Sequence, residues 1–498
     1  MRTRRRTGDR ELRAPGFAGY VLSRDRLWLV LAVLLPAFAA TIASLPTGDL
    51  AYQVRAGELM LASGSVLRTD PFTFTALGDP WLNQQWGAGV ALALVHDAAG
   101  WGGLAMLRAL LIGLVAGLVL VGCRVGLDRR PAAFLTLAGF LLSIGALALR
   151  AQLFGIVCFA GVVALLALRE KHPRARWLLP LVVLAWATLH GSLFLGPLAI
   201  GLAAVDDVVQ RRPGRRSMLG VLVASAIATC VTPFGPEVWR YALDLSTNPT
   251  ITQLISEWQR TSPLSVLGVL YYGSAVAAAL VVFRARRLGR TIEPGRALWL
   301  LALAALGAYA ERGVVWWALG APVALAPLVA VAFPNRASPR HVEPAGLRRL
   351  NLVLAAGILV AVVILQPLWR SGDALTGPAG TLRDAPAGLA RALVARASAA
   401  DRVVVPQPWA SWFEWAAPGR LVMLDSRIEL FSGATWSDYL AIGGGGPGAL
   451  ETLRSVGATV VVVDPATQPA LDATLRGVAS TWIVAFHDKD GTLFVPRS

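Results

Sequence analysis

Lysine is almost missing from this chain: Lys171 and Lys489 are its only two, so arginine carries nearly all of the positive charge. Together with the alanine and glycine content, this reads as the coding bias of a GC-rich bacterial genome and not as a functional choice. Cysteine is scarce too. Cys123, Cys158 and Cys230 fall at or within apolar runs, without CxxC or metal-ligand spacing, which excludes a disulfide framework. Charged residues make up only 15% of the chain, hydrophobic residues 55%, and mean hydropathy is +0.58, which excludes an ordinary soluble domain. No Walker A, HExxH or GxSxG pattern occurs. Gly443-Gly-Gly-Gly446 lacks the spacing of a dinucleotide site. Divalent-metal dependence stays open on these grounds.

The net charge of +16 invites a nucleic-acid reading, but the arginines stand between apolar runs and not on a continuous basic surface with interleaved aromatics. No nucleic-acid partner is expected. What is abundant is apolar sequence of membrane-spanning length. We read spans at 27–45, 101–122, 131–149, 151–168, 177–189, 191–207, 217–233, 264–283, 296–310, 313–332 and 351–367, about eleven in all at roughly 20 residues each. Alternate connections carry Arg129-Arg130, Arg211-Arg212 and Arg284-Ala-Arg286-Arg287, the bias that keeps cationic loops in the cytoplasm. An odd number of spans places the N-terminus inside and the C-terminus outside. The expected fold class is an all-α polytopic membrane bundle followed by an extracytoplasmic α/β domain.

Three parts follow. Residues 1–26 form a basic cytoplasmic tail, and the apolar run after it reads as a retained signal anchor, with a signal peptide cleaved near Ala37-Phe38-Ala39 as the alternative. Residues 27–367 form the membrane domain, with a long first outside loop at 46–100 and a second at 234–263. In the first, Arg55-Ala-Gly-Glu58-Leu-Met-Leu reads as an amphipathic helix lying at the interface. Residues 371–498 form the α/β domain: the apolar stretches near 403–405, 421–424, 459–463 and 482–486 read as buried strands, with helical patterns at 385–398, 447–456 and 467–478.

Several side chains at the outer edge are candidates for chemistry. Asp49, just past the first span, is either a general base that accepts a proton from a hydroxyl or a helix N-cap. Asp70, before Pro71, serves catalysis or opens a turn; Asp79 before Pro80 reads as a turn. Arg150, Arg312 and Arg240 lie on the side that the cytoplasmic bias disfavours. A guanidinium there suits a lipid phosphate, or else pairs with Asp49, Glu257 or Glu311. His190 sits at a tight outside turn and either contacts donor or acceptor or bonds a neighbouring carbonyl. Trp81, Trp86 and Trp258 are either sugar-stacking surfaces or interfacial anchors, and Arg55, Gln85 and Glu257 complete the expected acceptor and sugar contacts. Asp425-Ser-Arg427 is either an ion pair within the soluble domain or a carbohydrate contact following a buried strand.

The sequence resembles a family on several short motifs. These are Thr47-Gly48-Asp49 with Tyr52-Gln-Val-Arg-Ala-Gly57, Gly64-Ser-Val-Leu-Arg-Thr-Asp70-Pro-Phe-Thr-Phe-Thr75, Trp81-Leu-Asn-Gln-Gln-Trp86, His190-Gly191, Pro233-Phe-Gly235 and Glu257-Trp258. Trp412-Phe-Glu-Trp415 and Met423-Leu-Asp425-Ser-Arg427-Ile-Glu429 extend the likeness into the soluble domain. Together they look like bacterial GT-C membrane glycosyltransferases related to polyprenyl-phosphate-sugar-dependent mannosyl- and arabinosyltransferases. One position departs: a Trp-His pair is expected just after the acid, and Tyr52-Gln53 stands there. The resemblance implies a catalytic acid at Asp49, a polyprenyl-phosphate sugar donor, a membrane-lipid environment and an acceptor in the cell envelope (glycan, lipid or protein). Two alternatives stay open: a non-catalytic protein of the same fold that holds a lipid-linked glycan or envelope partner, and a polyprenol transporter.

Overall fold

Backbone inside a bilayer must satisfy its own hydrogen bonds, so apolar runs of this length can only become helices. The computed structural model describes residues 21–248, 255–334 and 343–497, and all eleven expected runs are helical there. The first 20 residues of the basic tail lie outside the described residues, as do parts of the expected second outside loop and of the Arg336–Arg349 connection. Seven helical segments are long and apolar enough to cross a membrane: Arg24–Ile42 (α1), Trp86–Arg124 (α3), Ala151–Leu168 (α5), Gly191–Val209, Val266–Arg287 (α10), Glu311–Ala332 and Ala345–Ile364 (α13). The remaining four runs hold shorter helices: Arg129–Ser143 (α4), Leu179–Leu189 (α6), Arg215–Ala228 (α8) and Pro294–Tyr309 (α11), of 11 to 16 residues. Each is shorter than the ~20 residues a perpendicular crossing takes. Helix α5 lies at the centre, and Phe159 on it packs edge-on against Trp186 of α6 and Trp316.

The long connection at 46–100 is structured. Leu50–Ser63 (α2) follows α1, and α3 starts at Trp86, 15 residues before the expected span, because Val90 to Val95 continue its apolar pattern. Gly100, at φ 57°, breaks α3 into two arms, a backbone state that a residue with a Cβ rarely adopts. Helix α2 does not lie with an open face at the interface. Leu50, Ala51, Val54, Ala56 and Gly57 are buried, and it packs between α3 and Gln407–Ala416 (α15) of the C-terminal region. That packing is close. A Cβ on Gly57 would stand 2.1 Å from the carbonyl oxygen of Gly89 on α3. Gly57→Ala is therefore expected to destabilise the protein by about 1–3 kcal/mol through overpacking. A lowered midpoint in thermal unfolding followed by tryptophan fluorescence would show it, and an unchanged midpoint would refute the account of this contact.

A buried charge sets the corner between α1 and α2. Arg108 of α3, 4% exposed, donates to the carbonyls of Ala40 (2.7 Å), Ser44 (2.8 Å) and Ala43, the orphan acceptors at the end of α1. Leu45–Pro46 (β1) then pairs in parallel with Leu382–Arg383 (β2), and Thr47 Oγ1 donates to Asp384 O at 2.6 Å. The exit of α1 is thus tied to the C-terminal region one residue before Gly48-Asp49.

The C-terminal region carries strands Arg402–Val404 (β3), Leu421–Val422 (β4), Val460–Val463 (β5), Trp482–His487 (β6) and Thr492–Pro496 (β7), in the order β4-β3-β5-β7-β6. The first three are parallel and buried; β7 runs antiparallel to β5 and β6. The four expected strands and the three expected helices Ala387–Arg396 (α14), Gly446–Ser455 (α17) and Pro469–Gly477 (α18) are present. Helix α15, Gly433–Gly443 (α16) and β7 were not expected from the sequence. Loop residues Phe72 to Phe74 extend the sheet beyond β4, with Phe74 N–H donating to Val422 O at 2.9 Å and Val422 N–H to Phe72 O at 3.1 Å. Trp101, Trp412, Trp415 and His96 pack together where the two halves of the chain meet.

Candidate active site

Asp49 occupies the N-cap position of α2, yet its carboxylate makes no capping hydrogen bond. It reaches instead to Arg150, whose Nη1 donates to Oδ2 at 2.8 Å. Four residues further along the same helix face, Gln53 Oε1 accepts the Ala151 N–H at 2.9 Å and satisfies an orphan donor at the start of α5. The pair Tyr52-Gln53, where the family resemblance expects Trp-His, thus holds the segment that presents Arg150. Arg150 Nη2 donates to both carboxylate oxygens of Glu257, at 3.0 and 2.9 Å. Burial opposes the charge on Arg150, but Asp49 and Glu257 outweigh it and hold its pKa above the usual arginine range.

Glu257 and Trp258 come from a short 3-10 turn, Ser256–Trp258, whose neighbour Gln259 accepts the Glu311 N–H at 3.0 Å. That link brings in the next turn, where the Arg312 guanidinium stacks on the Trp258 ring, 4.3 Å from its centroid. No carboxylate ion-pairs with Arg312 among the described residues. His190 faces the same space. Its Nδ1 accepts the Ser192 N–H at 3.1 Å and meets Ser192 Oγ at 2.8 Å, so the neutral ring carries its proton on Nε2. Burial, then Arg312 and Arg150, push its pKa down to about 3, and His190 is therefore an uncharged hydrogen-bonding group.

These groups line one cavity of about 440 Å³, closed on its far side by residues of the C-terminal region. Gln407 follows β3, and Ser426 and Arg427 follow β4, so the wall is built at the carboxyl ends of parallel strands. Arg427 is 2% exposed and donates to Asp425 and to Asp70, the latter at 2.6 Å. Its guanidinium lies 4.5 Å from the centre of the Trp81 ring. Burial opposes its charge, and Asp425, Asp70 and Glu414 together hold its pKa well above the ordinary range. Of the two readings of Asp425-Ser-Arg427, the ion pair is present, and Arg427 also forms part of the cavity wall.

Of the residues picked from the sequence, Asp49, Gln85, Arg150, His190, Glu257, Trp258 and Arg312 lie on this wall. Five lie elsewhere. Asp70 is buried behind it, closing the turn at Phe72 and Thr73 and bonding Arg427. Trp81 lies behind it over Arg427, and Trp86 does not reach the wall. Arg55 turns the other way and donates to Glu58 at 2.9 Å, because two residues of helix separate it from Gln53 by about 200°. Arg240 is exposed and faces Asp244 at 3.6 Å, while its neighbour Tyr241 on the amphipathic helix Glu237–Thr247 (α9) is the one turned inward. Tyr241 and Glu429, bonded to each other at 2.8 Å, line the cavity and were not anticipated, nor were Gln84, Gln152 and Gln407. Neutral amides give no pattern in a sequence; their only signal was proximity to Arg150 and Gln85. No group of three or more His, Cys, Asp and Glu side chains suited to a metal is present among the described residues.

No protein-family model matches the sequence, and no curated protein does either. Solved structures do match. The oligosaccharyltransferase AglB from Archaeoglobus fulgidus, in complex with an inhibitory peptide and a dolichol-phosphate, superposes with a TM-score of 0.55 at 12% identity, covering 95% of this chain and 75% of that one. ArnT from Cupriavidus metallidurans gives 0.50 at 18%, covering 95% and 98%. The arabinofuranosyltransferase AftD from Mycobacteria gives 0.52 at 18%, covering 96% of this chain and 42% of that one. At 12–18% identity these likenesses show the fold alone: the chain has the fold of these three structures, the GT-C fold.

Proposed function

We propose that this chain is a membrane glycosyltransferase that moves a sugar from a polyprenyl-phosphate donor to an acceptor in the cell envelope, with Asp49 as general base. The observation that carries the reading is the meeting of Asp49, Arg150, Glu257 and Arg312, from four separate segments, on one cavity wall at the end of the membrane helices. The dolichol-phosphate complex of AglB supports a lipid-linked donor. In this reading the cavity, the first outside loop and the C-terminal domain face the extracytoplasmic side, the N-terminus is cytoplasmic, and the shorter helices complete about eleven crossings.

The chemistry follows from the charges. Asp49 Oδ2 is held by Arg150, while Oδ1 has no hydrogen-bond partner among the described residues and is free to accept an acceptor hydroxyl. As the acceptor oxygen bonds the anomeric carbon from the face opposite the phosphate, the carbon–oxygen bond to phosphate breaks and the hydroxyl proton passes to Asp49. Configuration inverts. The lipid phosphate leaves with increased negative charge, which Arg312 and Arg150 stabilise where it develops.

Protein reconstituted in nanodiscs with polyprenyl-phosphate sugars and envelope extracts tests the activity, with glycosylated product as the readout. The ion pairs that already join Asp49, Arg150 and Glu257 favour a second reading, a holder of lipid-linked glycans; saturable binding without turnover would support it. Arg312→Ala is expected to weaken donor binding by about 10–100-fold, the loss of a charge-assisted contact. Unchanged affinity for polyprenyl phosphate would remove Arg312 from the phosphate site.

A further inference from the structure

The reading above assigns a phosphate but no sugar, and the cavity wall bears on the sugar's charge. Gln53, Gln84, Gln85, Gln152 and Gln407 all line it. Two are occupied: Gln53 Oε1 accepts the Ala151 N–H, and Gln85 Nε2 donates to the Tyr52 hydroxyl at 2.9 Å. Gln152 is different. It is 2% exposed, and neither its Nε2 nor its Oε1 has a protein partner among the described residues. Gln84, 7% exposed, leaves its Oε1 in the same condition. Burying such groups unpaired is unfavourable, and the terminal torsions of glutamine let the amide turn toward a ligand in the cavity.

Most charged groups of the wall, by contrast, have a charged or hydrogen-bonding partner, although Arg150 Nε and Arg427 Nη1 are buried without one and Asp49 keeps one oxygen free. Arg150 is held by Asp49 and Glu257, Arg427 by Asp425 and Asp70, and Glu429 accepts the Tyr241 hydroxyl. Arg312 is the one arginine of the wall without a carboxylate partner among the described residues, and in the donor reading it faces the phosphate. A sugar carboxylate would need a further unpaired cation, and a sugar ammonium a carboxylate of its own, whereas the free oxygen of Asp49 faces the acceptor hydroxyl in the donor reading and Glu429 already accepts from Tyr241. Amides offer one donor group and one acceptor, the match for hydroxyls that are both. We infer that the transferred glycosyl group is uncharged and polyhydroxylated, and that Gln152 and Gln84 are the residues that read its hydroxyls. This rests on the polyprenyl-phosphate reading.

The test uses the full chain in nanodiscs and four probes: bare polyprenyl phosphate and the same lipid phosphate carrying a neutral hexose, an amino-deoxy pentose or a hexuronic acid. The neutral hexose is expected to bind about tenfold tighter than the bare lipid, and both charged sugars no tighter than it. Gln152→Leu is expected to remove most of that tenfold gain while leaving bare-lipid affinity within about twofold. Gln84→Leu serves as the second variant, and size-exclusion profiles check that both are folded. A charged sugar binding more tightly than the hexose, or a sugar gain untouched in both variants, would overturn the inference and leave the donor reading intact. Failure of every probe, the bare lipid included, would overturn both.

Discussion

Asp49→Asn is expected to reduce the rate of sugar transfer by about 10²–10⁴-fold, the contribution of a positioned general base, while the KM for the donor stays level or falls. The asymmetry has a physical cause. The amide keeps the shape of the carboxylate but accepts no proton, so the acceptor hydroxyl is no longer activated. At the same time Arg150 loses one of its two anionic partners and offers more charge to a phosphate. A base that also fixes an arginine should therefore split kcat from KM in this direction. A residue that only supports the fold would lower protein yield and leave the turnover of what remains. Turnover within threefold of the parent, measured on folded protein, would end the assignment of Asp49.

Arg427→Met should produce the largest loss of stability. Arg427 and its partners Asp425 and Asp70 have side chains no more than 1% exposed, so removing the guanidinium strands two carboxylates in a buried site. Breaking a buried ion pair from one side costs about 3–5 kcal/mol. Here the loss falls on the contact that joins the connection at 46–100 to β4. The midpoint of thermal unfolding should drop sharply, and limited proteolysis should cut near residues 70–80. Adding Asp70→Asn and Asp425→Asn to the same protein should recover most of the loss, because the stranded charges go with the arginine. A single Arg427→Met protein as stable as the parent would show that these charges are not the cement of the interface.

How far the sequence reached depends on whether the physics was local. Apolar runs became helices at every expected place because lipid leaves the backbone no other option, and the strands of the C-terminal region were legible from their buried valine-rich runs. Helix α15 was not legible. Pro408 stands in its first turn, the helix is only ten residues long, and it packs on α2, a contact that the sequence does not record. Crossing number is a similar case. Length decides what can span a bilayer, but whether an 11-residue helix such as α6 does so depends on its neighbours and not on its own composition.

The sequence by itself determined a chain of apolar membrane-length helices with an α/β C-terminal region, and it singled out Asp49, Arg150, His190, Glu257 and Arg312 as ionisable groups at the ends of the spans. Only the tertiary structure decided that these five share a cavity, that Asp70 and Trp81 serve Arg427 behind it, and that Arg240 and Arg55 face away. The reason is that hydropathy acts over one turn of helix and survives in any window of sequence. An ion pair such as Arg150 with Asp49 joins residues 101 positions apart, and nothing along the chain records that distance before packing closes it.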